Sequence, residues 1–165
     1  MTPEADKIIG EIKKRGGTNR IVVSTKMYKG TQQVHVREQF IDPDTGEWKF
    51  KKNGISIGLS GAKDLKKAIL EIDPTEPVTP TRVDNNKFIE YGTINRKPGE
   101  RILVKRAWGK KVYKKDTLLL WTQFHADNKD WIFTKHRGIG ILFEHLPELQ
   151  SIFRRLEIPG EKGEE

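Results

Sequence analysis

Flat aromatic rings set among cations are the chemistry this sequence supplies most freely. Tyr28-Lys29, Arg37 close to Phe40, Trp48-Lys49, Phe50-Lys51-Lys52, the run Lys105-Arg106 to Lys111 around Trp108, and Trp131 to Arg137 all place a ring beside a positive charge. A ring can stack on an unpaired nucleobase while a neighbouring ammonium or guanidinium neutralises its phosphate. The candidates in the first half are Lys26, Tyr28, Lys29, Arg37, Phe40, Trp48, Lys49, Lys51 and Lys52. Those in the second half are Lys105, Arg106, Trp108, Lys110, Lys111, Trp121, Phe124, Lys135 and Arg137.

Each ring also has a packing alternative. Phe50 and Phe133 are expected on a core face under a helix, and Trp48 and Trp131 fit core and stacking roles equally. Tyr28 and Trp108 stand at strand ends beside basic turns, a position of less use to a core. Strict alternation groups Phe40 with the apolar Val34 and Val36, so only a bend or bulge would re-aim it. Lys63, Lys66 and Lys67 fall on the exposed side of a helix and read as solubilising charge.

Catalytic chemistry finds no comparable constellation. His35, His125, His136 and His145 lack metal-ligand spacing, and no serine lies in a nucleophile-elbow sequence. There is no cysteine, which removes disulfides, thiolate nucleophiles and cysteine zinc sites together. The expectation is a protein that is not an enzyme and needs no metal or cofactor.

The elements that must position these residues occur twice, at a lag of about eighty residues. Val34-His35-Val36-Arg37-Glu38-Gln39-Phe40 runs into the turn Asp42-Pro43-Asp44-Thr45-Gly46, and Leu118 to Phe124 runs into Asp127-Asn128-Lys129-Asp130. The return strands Trp48 to Lys52 and Trp131 to Lys135 share Trp-x-Phe-x-Lys. A short apolar strand follows in each copy, Gly54 to Leu59 or Gly138 to Phe143. First strands precede them, Ile21 to Tyr28 before Lys29-Gly30 and Ile102 to Trp108 before Gly109-Lys110-Lys111.

A helix closes each copy. Leu65, Ala68, Ile69 and Ile72 stand at i, i+3, i+4 and i+7, as do Leu149, Ile152, Phe153 and Leu156, giving each helix one apolar stripe. Ser60 is the expected N-cap of the first, and Pro147 suits the first turn of the second. The repeat unit is therefore β-β-β-β-α, an α+β arrangement.

Domain boundaries follow. Residues 1–19 form an N-terminal extension, read as a short helix over Glu4 to Arg15, and residues 20–73 form the first unit. A Pro-rich linker spans 74–85, residues 86–158 form the second unit, and 159–165 read as a disordered acidic tail. Asn86 to Arg96 is left unassigned.

The formal charge of +8 on 165 residues favours a polyanionic partner, because cations that neutralise phosphates release counterions. No apolar run approaches membrane-spanning length, and Glu4 and Asp6 stand where a secretory signal would be basic and then apolar. An intracellular protein of the cytoplasm or nucleoid is expected, with no membrane partner.

Tyr28-Lys29-Gly30, Val36-Arg37-Glu38-Gln39-Phe40, Asp42-Pro43, Asn53-Gly54-Ile55-Ser56 and the closing helix occur in the order found in the positive cofactor 4 family of transcriptional coactivators and its bacterial and phage relatives. The first copy resembles that family over about residues 20–72. The resemblance implies a curved four-stranded antiparallel sheet with one carboxy-terminal helix, dimerising to form a groove for single strands. It implies base stacking by Tyr28 and Phe40, with phosphate contacts from Lys29, Arg37 and Lys52; Phe40 stands where the best-known members have Trp. The second copy departs from this pattern, with Trp121 at the position of Arg37.

A repeat of a dimerising unit within one chain leads to an intramolecular pseudo-dimer, monomeric in solution. The expected function is largely sequence-independent single-stranded DNA binding in transcription, replication, recombination or repair, alongside proteins of those processes. The alternatives are a protein-interaction or transcription-regulatory module and an RNA-binding protein.

Overall fold

The computed structural model describes residues 7–14, 16–75, 86–109, 116–125 and 131–158. Lys110 and Lys111, the turn at Asp127 to Asp130, most of the proposed linker and the acidic tail lie outside them. Two four-stranded antiparallel sheets are each followed by a helix, as the repeat requires. The first comprises β1 (Lys7–Lys13), β2 (Asn19–Tyr28), β3 (Thr31–Ile41) and β4 (Trp48–Gly58), then α1 (Leu59–Glu71). The second comprises β5 (Asn86–Lys97), β6 (Glu100–Gly109), β7 (Thr117–His125) and β8 (Trp131–Leu142), a 3-10 turn at Phe143–His145, then α2 (Leu146–Arg155).

Each unit has four strands, but they are not the four that local patterning delineates. The N-terminal segment is strand β1, not a helix, and pairs with β2 from Lys7↔Thr25 to Lys13↔Arg20. Its isoleucines explain the difference: Ile12 is fully buried, and β-branched residues suit a pleated surface. Asn86 to Arg96, unassigned from sequence, is the corresponding edge strand β5. Conversely, the third and fourth strands expected in each copy are one long strand, β4 or β8, interrupted by a bulge.

These bulges reconcile the two copies. On β4 the register jumps from Arg37↔Gly54 to Gln39↔Phe50, and on β8 from Trp121↔Gly138 to Gln123↔Phe133. Trp48 and Trp131 are 83 residues apart, whereas Gly54 and Gly138 are 84 apart. The second bulge therefore carries one residue more, and Trp131 returns to the same side of its sheet as Trp48.

Alternation sorts each sheet into two faces. Ile21, Val23, Val34, Val36, Ile55 and Ile57 of the first, and Ile102, Val104, Leu118, Leu120, Ile139 and Ile141 of the second, point toward the helices and are buried. Both helical stripes complete this core: Leu65, Ile69, Ile72, Leu149, Ile152, Phe153 and Leu156 are buried, and Ala68 is half-buried against them. Pro147 occupies the first turn of α2. Ser60 does not cap α1; the cap position is Gly58, with no side-chain hydrogen bond.

The helix-facing buried apolar residues of both units belong to one cluster. β4 lies beside β8, α1 packs on β5, and α2 packs on β1. That last approach requires Gly10, where an added Cβ would stand 2.6 Å from Ile152 Cγ1. Polar contacts also cross between units. The buried Gln150 amide of α2 donates to the carbonyls of Ile69 (3.0 Å) and Ile72 (2.7 Å) at the end of α1. The Ile69 carbonyl otherwise accepts only the Ile72 N–H, at 3.4 Å, so Gln150 adds a donor at the helix end, where carbonyls run short of intrahelical partners. Gln150→Ala is expected to lower stability by about 1–2 kcal/mol, measured as a reduced urea midpoint at unchanged m.

Candidate nucleic-acid interface

The face of each sheet turned away from the helices gathers the aromatic and cationic side chains. In the first sheet it includes Arg20, Val22, Ser24 and Lys26 of β2, His35, Arg37 and Gln39 of β3, and Trp48, Phe50 and Gly54 of β4. Along β2, from Arg20 to Tyr28, this track is about 26 Å long at roughly 3.3 Å per residue.

Guanidinium groups lie over rings along this track. Arg20 sits 4.2 Å from the centre of the Trp48 ring, and Arg37 sits 4.2 Å from that of Phe50. Arg20 Nε donates to Gln39 Oε1 at 2.8 Å, and its Nη1 pairs with Glu11. Arg37 Nη2 donates to the Lys51 carbonyl at 3.2 Å. Gly54 lies under Arg37, where a Cβ would meet Arg37 Cγ at 2.7 Å. Phe50, expected in the core, is 38% exposed on this face.

The second sheet repeats part of this pattern and changes part. Arg101 sits 4.0 Å from the Trp131 ring centre and donates through Nε to Gln123 Oε1 at 2.8 Å. Arg20 and Arg101 were not among the sequence candidates. Their signal is the Arg-Ile pair opening each apolar run, Arg20-Ile21 and Arg101-Ile102. At the position of Arg37 stands Trp121, whose indole covers Gly138. Lys105 is half-buried on the same face, paired with Leu119.

Other candidates are placed differently. Arg106 is 3% exposed, with Nε donating to Asp116 at 2.8 Å and the guanidinium stacked on Phe143 at 3.4 Å. It offers no surface to a phosphate and is a structural residue. Burial opposes its charge, but hydrogen bonds to Asp116 and Tyr91 outweigh that and hold its pKa above the ordinary arginine value.

Lys49 and Lys51 fall on the helix side of β4 and are paired, with Asp42 at 2.6 Å and with Glu38 at 2.7 Å. Burial alone would raise the Glu38 pKa, yet hydrogen bonds from Lys14 and Lys51 outweigh it and hold the carboxyl below its ordinary value.

Phe40 is half-buried on the helix side, paired with Asn19 and Lys49, because the β2–β3 register runs unbroken. Phe124 takes the corresponding place, with Arg137 4.8 Å from its ring centre and 2.8 Å from Glu100. Lys29 and Gly30 form the two-residue β2–β3 turn, both at positive φ (49° and 78°), as a tight hairpin demands. Tyr28 closes that turn opposite Thr31, and Lys52 is exposed at the β4 bulge. Trp108 pairs with Lys87 near the end of β6, and Lys135 lies within β8.

Ladders of rings and guanidinium groups on a sheet face match what nucleic acid requires, and the comparison with known families agrees. Residues 16–68 match the family Transcriptional Coactivator p15 (PC4). The match runs from just before β2 into α1 and bears out the resemblance carried by Tyr28-Lys29-Gly30 and Val36-Arg37-Glu38. PC4 is a family of DNA-binding, transcription-related domains and not an enzyme family. No curated protein matches the chain. Among the described residues, no group of three or more acidic or histidine side chains could hold a metal ion. No helix among them is long and apolar enough to cross a membrane.

Proposed function

We propose that this chain is a non-enzymatic, largely sequence-independent single-stranded DNA-binding protein acting in transcription, replication, recombination or repair. Both units serve the same function, packed against each other in a monomeric chain. The observation that carries this reading is the outward sheet face, where Arg20 and Arg37 lie over Trp48 and Phe50 and Arg101 lies over Trp131. Unpaired bases can reach such rings, whereas the bases of a duplex are stacked on one another. Both helices are engaged with the other unit, α1 packed on β5 and α2 on β1.

Arg37 tests the ionic part of the proposal. Its guanidinium is held over Phe50, beside the track, and Arg37→Ala removes one phosphate partner without entering the core. Affinity for a fluorescent oligo-dT is expected to fall several-fold, with the slope of log K against log salt reduced by about 0.7 for one lost contact. An unchanged slope and affinity would remove Arg37 from the interface. Equal effects on oligo-dT and on a matched single-stranded RNA would extend the ligand class to RNA.

A further inference from the structure

The two sheets share one constellation at corresponding register positions, and of its residues only Gln39 is among those that carry the family resemblance. Arg20, Gln39 and Trp48 in the first sheet correspond to Arg101, Gln123 and Trp131 in the second. The Arg Nε to Gln Oε1 distance is 2.8 Å in both, and the guanidinium-to-ring distances are 4.2 and 4.0 Å. Building on the single-strand reading, we propose that Trp48 and Trp131 are paired stacking platforms for unpaired bases, one on each sheet. Arg20 with Gln39, and Arg101 with Gln123, are the positioning residues that hold the indoles in place.

Three features favour this over simple packing. Neither indole belongs to the buried core, and both remain partly exposed on the face away from the helices. Each arginine is already engaged: Arg20 is only 15% exposed and paired with Glu11 as well as Gln39, which suits a clamp more than a phosphate contact. Gln39 and Gln123 are themselves buried, at 6% and 5% exposed, so each clamp is anchored in the sheet. An aromatic fixed before its ligand arrives loses little conformational entropy on binding. The flanks differ, with Ile41 opposite Trp48 and His125 packed 4.9 Å from the Trp131 ring centre, so the platforms are similar without being identical.

The test uses the full chain, an oligo-dT of about 20 nucleotides and the double variant Trp48→Leu/Trp131→Leu. Affinity is expected to fall about 5- to 150-fold per platform, with the wild-type salt slope, because no phosphate contact is lost. Trp48→Tyr/Trp131→Tyr keeps a stacking face and is expected to recover most of the loss. If the Leu variant melts early, Arg20→Lys/Arg101→Lys retains both charges and both indoles but removes the planar clamp, and weaker binding at an unchanged slope supports the proposal.

Wild-type affinity in a folded Leu variant would overturn the platforms while leaving single-strand binding intact. A fall in salt slope matching the lost affinity would overturn them in favour of an ionic role. Failure of the wild-type chain to bind oligo-dT would overturn the single-strand reading itself.

Discussion

Phe153→Ala is expected to lower the unfolding free energy by about 3–5 kcal/mol, and to do so for both sheets at once. Phe153 is fully buried on α2 in a cluster that also contains Val34, Val36, Ile55 and Ile57 of the first sheet and Ile69 of α1. A cavity there removes contacts from both halves, so neither has an intact core to fall back on. Denaturant unfolding followed by tryptophan fluorescence and by far-ultraviolet circular dichroism should give coincident midpoints, shifted together. Two separated transitions, with the first sheet unaffected, would contradict a shared core.

Gly138→Ala is the second large effect, and it acts on the outer face. An added Cβ would stand 2.1 Å from Trp121 Cδ2 and 2.3 Å from Cε3, so the rigid indole must leave its place. Overpacking of this kind costs up to about 3 kcal/mol, and the near-ultraviolet signal of Trp121 should change with it. The equivalent Gly54→Ala meets Arg37 Cγ at 2.7 Å and the Val36 carbonyl at 2.9 Å; the side chain can swing aside but the backbone cannot. Loss of stability at both positions, with an aromatic signature only at Gly138, is the expected pattern. Unchanged melting and near-ultraviolet spectra for Gly138→Ala would show that Trp121 does not lie on it.

Much of this arrangement was legible because its parts repeat in residue type. Trp-x-Phe-x-Lys and the two helical stripes identify paired elements without any long-range information, and every residue of the second stripe is buried. The faces were harder. Breaking β4 at Asn53-Gly54 discards the alternation that links Trp48 and Phe50 to Ile55 and Ile57, and with it the side on which Phe50 lies. In β8 alternation fails for a different reason, because the bulge carries an extra residue and restores Trp131 to the outer face.

Arg106 illustrates a further limit. It reads as one cation in a basic run, yet its Asp116 partner on the approach to β7 and the underlying Phe143 are brought to it only by the fold. Lys49 and Lys51 are likewise engaged by Asp42 and Glu38 through cross-strand proximity that spacing along the chain does not reveal. A single arginine before an apolar run, as at Arg20 and Arg101, has no distinctive pattern until the fold brings its ring partner to it.

The two units are also unequal on the face that matters. Arg37 over Gly54 gives the first sheet a charge where the second has the Trp121 indole over Gly138. The first face thereby carries a guanidinium where the second carries an indole, on a scaffold otherwise built alike.

The central claim, that these outer faces take unpaired strands, is tested most directly by competition. Labelled oligo-dT bound to the full chain should be displaced by unlabelled oligo-dT at far lower concentration than by a duplex of equal length, with affinity falling steeply as salt rises. Displacement by duplex at equal or lower concentration, or binding indifferent to salt, would contradict it.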